Sequence, residues 1–382
     1  MLNPLARRFG RVAALTTAAA LALAMTACSP PEDDKSSDSD TAKAAEATSA
    51  KDFGTLEDLV AAAKKEGELN VIALPPDWAN YGNIIKAFED KYDIKVNSAQ
   101  PDASSADEIT AAKSLKGQDR APDVFDLGPA VATANTDLFA PYQVQTFADI
   151  PAELKDPKGL WVNDYGGYMS IGYDSSKVPA PTSINDLLKP AYKGKVALNG
   201  DPTQAGAAFS GVVMAALGNG GSADDIAPGV EFFKKLKAAG NFLPVDPTPA
   251  TIESGQTPVV IDWDYLNVGQ GEKLKGKVEW KTVVPANAVV GSYYVQAINK
   301  DAPNPAAARL WQEFLYSDEG QNLWLAGGAR PVRADAMEKA GTIDKDAFAK
   351  LPAVTGTPVF QTEAQTTKAK EYLAANWAKA VA

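Results

Sequence analysis

The sequence predicts an α/β protein built as two domains, and three observations carry that expectation. Short apolar segments of strand character alternate with amphipathic segments of helical spacing along most of the chain. About 330 residues follow the leader and linker, more than one core usually holds. Aromatic residues at 8% and charged residues at 22% are ordinary globular levels.

Residues 1–27 read as a leader. Arg7, Arg8 and Arg11 give a positive start, and Val12 to Met25 is apolar apart from two threonines. That run is too short to span a bilayer comfortably and fits a secretory signal. Met25-Thr26-Ala27-Cys28 resembles a bacterial lipobox, which implies lipidation of Cys28, the only cysteine of the chain. Two acyl chains would hold the protein on a membrane. Residues 28–51, poor in apolar side chains beyond alanine and free of aromatics, are expected to be a disordered tether.

The folded part then reads element by element. Leu56, Leu59, Val60 and Ala63 share a helix face ahead of Gly67, a natural helix stop. "ELNVIAL" (68–74) is a strand and "PPDWANYG" (75–82) a loop. "NIIKAFEDKYD" (83–93) is an amphipathic helix, 94–100 a strand, "ADEITAAKSLKGQD" a helix, and "PDVFDLG" (122–128) a buried strand. Alternation of this kind predicts a parallel sheet covered on both faces. Residues 182–194 are expected to be a helix capped by Thr182 or Ser183, and 195–218 strand, loop and long apolar helix. "GVEFFKKLKAAG" is a helix, "TPVVIDWDYLN" (257–267) a strand running into a loop, and 291–304 a strand and turn. Residues 305–328 read as a helix with Pro305 at its start.

Composition excludes several chemistries. The chain has no histidine and a net charge of −11. Ser–His–Asp and Cys–His catalysis are ruled out, as are cysteine-based zinc sites. The charge argues against a nucleic-acid partner. No catalytic residues, cofactor or metal site are assigned.

Several ordered segments resemble bacterial extracellular solute-binding proteins of ABC importers, in the group that includes ferric-ion, thiamine, phosphonate and polyamine binders. They are "KKEGELNVIALPPDWANYGNIIKAFEDKYDIKV", "APDVFDLG", "YMSIGYDSSKVPAPTSINDLLKPAYKGKVAL" and "AINKDAPNPAAARLWQEFLYSDEGQNLWLAGGARPV". The resemblance spans nearly all of 52–382. It implies a two-lobe, type II periplasmic-binding-protein-like fold with the ligand in the cleft between lobes. Lobe 1 is expected over 52–172 and lobe 2 over 173–292, with 293–382 returning to complete both. It also implies a small-molecule solute and ABC permease subunits as partners, a monomer, and an extracytoplasmic location at the membrane.

Candidate ligand-binding residues follow from chemistry at strand ends. Asp77, Trp78, Asn80 and Tyr81 lie in the loop after the first strand, where rings beside a carboxylate suit an ammonium group. Trp78 tucked onto its own lobe is the plainer alternative. Asp126 and Gly128 close the strand "VFDLG", with Asp126 a ligand contact or a helix cap. Tyr165 and Tyr168 flank Gly166 and Gly167, which are expected to let the chain turn near the cleft, with either tyrosine a contact or a core residue. Asp201 and Thr203 precede the apolar helix, as ligand contacts or caps. Asp262, Trp263, Asp264 and Tyr265 form the sharpest cluster, since buried acids are costly unless paired: at least one is expected to contact the ligand in the cleft, the alternative being acids paired with Lys or Arg of the same lobe. Tyr293, beside Tyr294, is read as a hinge or cleft wall; a ferric tyrosine pair is not expected at this place in the chain. Arg330 and Arg333 are anion holders or ion-pair partners.

The expected function is capture of a small polar, amine-bearing solute, polyamine first and aminophosphonate second. Ferric ion or thiamine are the alternatives on the same fold. A secreted hydrolase using two carboxylates is the alternative of another class.

Overall fold

Residues 35–382 are described by a computed structural model; the leader and Cys28 lie outside the described residues. The chain runs α1 (Lys35–Glu46), α2 (Ala50–Phe53), α3 (Leu56–Glu66), β1 (Glu68–Ile72), α4 (Tyr81–Tyr92), β2 (Lys95–Ala99), α5 (Ser105–Ser114), β3 (Val124–Leu127), α6 (Pro129–Ala134) and β4 (Phe139–Ala140). The long strand β5 (Val162–Asp174) leads into β6 (Val196–Leu198), α7 (Gly206–Leu217), α8 (Ala227–Ala238), β7 (Phe242–Leu243), α9 (Pro249–Glu253), β8 (Val259–Trp263), α10 (Asp264–Lys273) and β9 (Trp280–Val283). Then β10 (Gly291–Asn299) returns, followed by α11 (Pro305–Leu315), α12 (Asp318–Ala326), β11 (Arg330–Pro331), α13 (Ala334–Ala340), α14 (Lys345–Phe348) and α15 (Glu363–Val381).

Local chemistry explains the boundaries. Thr55 and Asp58 form a reciprocal capping box at the start of α3, and Gly67 closes it at φ 76°. Ser104 and Asp107 do the same for α5. Pro190 breaks the helix expected over 182–194 into two short 3-10 turns, although Ser183 and Asp186 still form a capping box. The helix expected over 305–328 is two, because Ser317 caps a fresh start at α12.

The sheet is mixed rather than all parallel. β1 and β2 pair in parallel, as do β6 with β7 and β8. β10 pairs antiparallel with β3 and with β5, and β5 pairs antiparallel with β8. The nine-stranded sheet has the order β3-β10-β5-β8-β6-β7, with β4, β9 and β11 off that path. Every antiparallel strand pair among the described residues involves β5 or β10. β5 changes partners midway: Val162–Tyr168 lies against β10, and Met169–Tyr173 against β8.

The segment expected to be tether through residue 51 is partly folded. Ala44, Ala47, Ala50 and Phe53 are buried. The Arg309 guanidinium, buried on α11, donates to the carbonyls of Ala47 at 2.9 Å and Ala45 at 2.8 Å. Alanine composition, read as unable to bury area, suits close helix approach, and one buried arginine satisfies the helix end. At the other end α15 packs on α8, with Trp377 edge-on to Phe233 at 5.3 Å.

Candidate functional site

The partner change in β5 brings the carboxyl end of β3 and the carboxyl end of β8 to one place. Ligands of open α/β sheets bind beyond such strand ends. Six aromatic rings gather there. Tyr165 is stacked between Tyr294 at 5.3 Å and Trp324 at 4.2 Å. Trp78 meets Tyr265 and Tyr294 edge-on, each at 5.9 Å, and Tyr265 stacks on Trp263 at 6.3 Å. Trp78 Nε1 donates to the Tyr165 hydroxyl at 2.7 Å, and that hydroxyl donates to Asp126 Oδ2 at 3.3 Å. Trp78 and Tyr165 come from the first half, and Trp263 and Tyr265 from the second.

Carboxylates surround these rings. Asp126 is 6% exposed and Asp262 also 6%. Burial pushes each up to about 7, hydrogen bonds offsetting only part of the cost. Asp262 accepts from the Asn199 amide at 2.8 Å and from the Trp263 N–H at 2.8 Å. Burial also raises the hydroxyls of Tyr265 and Tyr294, and the charges of Asp126 and Asp262 add to the effect on both. The acid ending β3 and the acid ending β8 thus act on the same pair of phenols. Behind Asp126 lie Asp164, raised by burial and by Asp126, and Glu108, raised likewise. Asp126 Oδ1 and Glu108 Oε1 are buried with no hydrogen-bond partner.

A model of bacterial extracellular solute-binding proteins matches residues 122–352, more than half of the chain. The chain belongs to that family. Solved structures share the fold of this solute-binding protein. The fructose-6-phosphate-bound periplasmic binding protein AfuA of Actinobacillus pleuropneumoniae is 21% identical over 82% of this chain and 98% of its own, with a TM-score of 0.61. The spermidine/putrescine ABC transporter substrate-binding protein PotD of Streptococcus pneumoniae is 17% identical over 82% and 99%, with a TM-score of 0.60. The apo ferric ion-binding protein A of Pasteurella haemolytica is 20% identical over 82% and 96%, with a TM-score of 0.59. The fold is that of type II periplasmic binding proteins.

The solute-binding protein brings together Trp78, Asp126, Tyr165, Trp263 and Tyr265 from the sequence candidates. Others go elsewhere. Tyr81 is fully buried, edge-on to Trp324 at 4.8 Å, with its hydroxyl taking the Gln296 amide at 3.1 Å. It is a core residue because it begins α4 on the inward face. Asn80, at φ 70°, donates to the Leu323 carbonyl at 2.7 Å and fixes α4 against α12. Asp77 is solvent-exposed, 4.0 Å from Lys273 of α10. Asp201 holds the Thr203 N–H at 2.8 Å and its hydroxyl at 2.7 Å, a local turn two residues long. Gly128 caps α6 and donates to the Ser105 hydroxyl at 3.0 Å.

Asp264 is spoken for by the fold. The strand ends at Trp263, and Asp264 is the first residue of a helix rather than part of a loop. It accepts from Arg330 Nε at 3.3 Å and from the backbone of Tyr168 at 2.9 Å and Tyr265 at 3.0 Å. The Gly166–Gly167 pair is not a turn but strand: a Cβ on Gly166 would come within 2.2 Å of the Ser292 carbonyl, and one on Gly167 within 2.1 Å of Asp264 Oδ1. Tyr293 turns away from Tyr294, toward Phe360 at 6.2 Å, with Tyr168 and Arg330 acting on its hydroxyl. Arg333 is buried between Asp149 at 2.7 Å and Asp318 at 2.9 Å.

Sequence reading missed Glu108, Asp164 and Gln296. For Glu108 a signal existed. It lies on the stripe of Ile109 and Ala112, the buried face of α5, where a carboxylate needs a reason.

Proposed function

We propose that this extracytoplasmic solute-binding component of an ABC importer captures an amine-bearing cation, with polyamines as the leading class. Asp126, and Asp262 from the opposite half, would pair with ammonium groups, while Trp78, Tyr265 and Tyr294 present ring faces and edges to the carbon chain. The observation that carries the reading is the buried Asp126 carboxylate with one oxygen unpartnered beside an aromatic cluster. Among the described residues no lysine or arginine pairs with Asp126 or Asp262. Buried charge without a counter-charge is costly, and a bound cation would supply it.

A phosphonate has less support, since the Asp201 carboxylate already occupies the donors of Thr203. A ferric pair is disfavoured because Tyr293 and Tyr294 face different neighbours. In this reading β5 and β10 are hinge strands between lobes at 52–172 and 173–292, and closure presents the loaded form to a permease. A lipid on Cys28 would keep the receptor near that permease and raise its effective concentration.

A thermal-shift screen of putrescine, spermidine, 2-aminoethylphosphonate, thiamine and ferric salts tests the proposal. An amine-bearing compound should raise the melting temperature, and Asp126→Asn should abolish the rise. Stabilisation by a neutral sugar or an inorganic anion alone would defeat it.

A further inference from the structure

We infer that the Glu108–Asp126 carboxyl pair retains a proton in the solute-free protein and gives it up when an ammonium group binds, so that capture is an exchange of cation for proton. The inference rests on the cationic-solute reading above and adds to it a role for Glu108.

The geometry comes first. Glu108 is 1% exposed. Its Oε2 accepts the backbone N–H of Asp126 at 3.0 Å, which anchors the α5 carboxyl directly to the strand residue that faces the rings. Glu108 Oε1 and Asp126 Oδ1 are the two buried carboxyl oxygens without partners at this place. An ionised carboxylate offers about four lone-pair sites, and leaving them empty in an apolar interior is costly. Two ionised carboxyls side by side add repulsion.

Hydrogen bonds from Tyr81, Tyr165 and Gln296 offset part of the cost of burying Asp126, but the surroundings supply no positive charge. Tyr81 faces the pair from α4, Asp164 and Tyr165 from β5, and Gln296 and Tyr294 from β10, and Asp262 of β8 acts in turn on Tyr294. Every one of these is acidic or neutral. No lysine or arginine of the described residues pairs with Glu108, Asp126 or Asp164. Burial drives Glu108 well above the usual carboxylic range, and Asp126 to about 7, in the same direction as the geometric argument.

The exchange balances simply. One carboxyl O–H bond breaks, its proton goes to solvent, and an ammonium N–H donates to the freed carboxylate. The charge of the site is the same before and after, and nothing is oxidised or reduced. A cation is then bound more tightly as pH rises toward the pair's titration, by up to about tenfold per unit.

Two measurements test this on the intact folded chain. The first needs no solute: the infrared carbonyl band of a protonated carboxyl should be present at pH 7 and diminish in Glu108→Gln or Asp126→Asn. Its absence from the wild type overturns the inference. The second is calorimetric titration with putrescine at pH 7 in phosphate and in Tris. Binding heats that differ by about one ionisation enthalpy support proton release, and Glu108→Gln should bind with heats that no longer depend on the buffer. Putrescine binding with buffer-independent heat in the wild type overturns the exchange while leaving the cation reading intact. Failure of putrescine and spermidine to bind at all removes the cation reading, and the exchange with it.

Discussion

Asp264 and Arg330 meet across β5, the strand that changes partners midway. Arg330 sits on β11, paired with the Gly166 end of β5, while Asp264 follows β8, paired with the Met169 end. Their Oδ2 and Nε lie 3.3 Å apart, and Asp264 Oδ1 takes the N–H of Tyr168, the last residue before β5 changes partners. One carboxylate therefore fixes the crossover from both sides. The Arg330 guanidinium also covers the Tyr168 ring at 5.2 Å.

Removing one partner of this pair should be expensive. Asp264→Ala leaves the partly buried Arg330 and two backbone N–H groups without their acceptor. A loss of about 3–5 kcal/mol is expected. Urea denaturation of the solute-free protein reads it, and an unchanged midpoint would refute a structural role for the Asp264–Arg330 pair.

The solute-free protein should become less stable as pH rises from about 4 to about 7. Glu66, Asp123, Asp126 and Asp262 are each pushed up to about 7, and Asp264 to about 6, with burial the largest cause in every case. Groups whose folded value is raised hold protons more tightly when folded. Their stabilising contribution is full below the unfolded value near 4 and is lost as pH climbs through 6 and 7. Asp186, held low by Lys189 and the Thr182 backbone, works the other way, and only below about pH 4. Melting temperatures at pH 4.5, 6 and 8 check the trend; a rise toward pH 8 contradicts it.

Trp78→Ala should weaken solute binding more than it weakens the fold. The ring is half-buried and bonded only through Nε1 to Tyr165. A lost cation–π contact is worth about 0.5–2 kcal/mol, roughly two- to thirtyfold in affinity. Calorimetry against denaturation midpoints separates the two effects, and equal affinity in wild type and variant excludes Trp78 from the site.

Arg309→Met should release the N-terminal helix. Two carbonyls, of Ala45 and Ala47, lose their donor, at about 1–3 kcal/mol each. Trypsin should then cut faster at Lys43 and Lys51. Identical digestion rates would mean that α1 is held by apolar packing alone.

Much of the candidate site was visible one residue at a time. Trp78, Asp126, Trp263 and Tyr265 all stand just after apolar runs, and acids beside rings at strand ends are conspicuous in a sequence. Their neighbours were not. Asp164 and Gln296 meet at 2.9 Å but are 132 residues apart in the chain. Asp264 and Arg330 are 66 apart, so which basic residue pairs with Asp264 was invisible. Tyr81 sits beside Asp77 and Trp78 in the chain, yet the start of α4 turns it into the core.

The α/β class and most of the order of strands and helices were set by the sequence itself, because hydrophobic period and capping chemistry are local. Which carboxylates remain without a counter-charge was decided by tertiary structure alone. That depends on where β5 exchanges one partner for another and on which arginine reaches which acid, and such distances exist only once the chain has closed on itself.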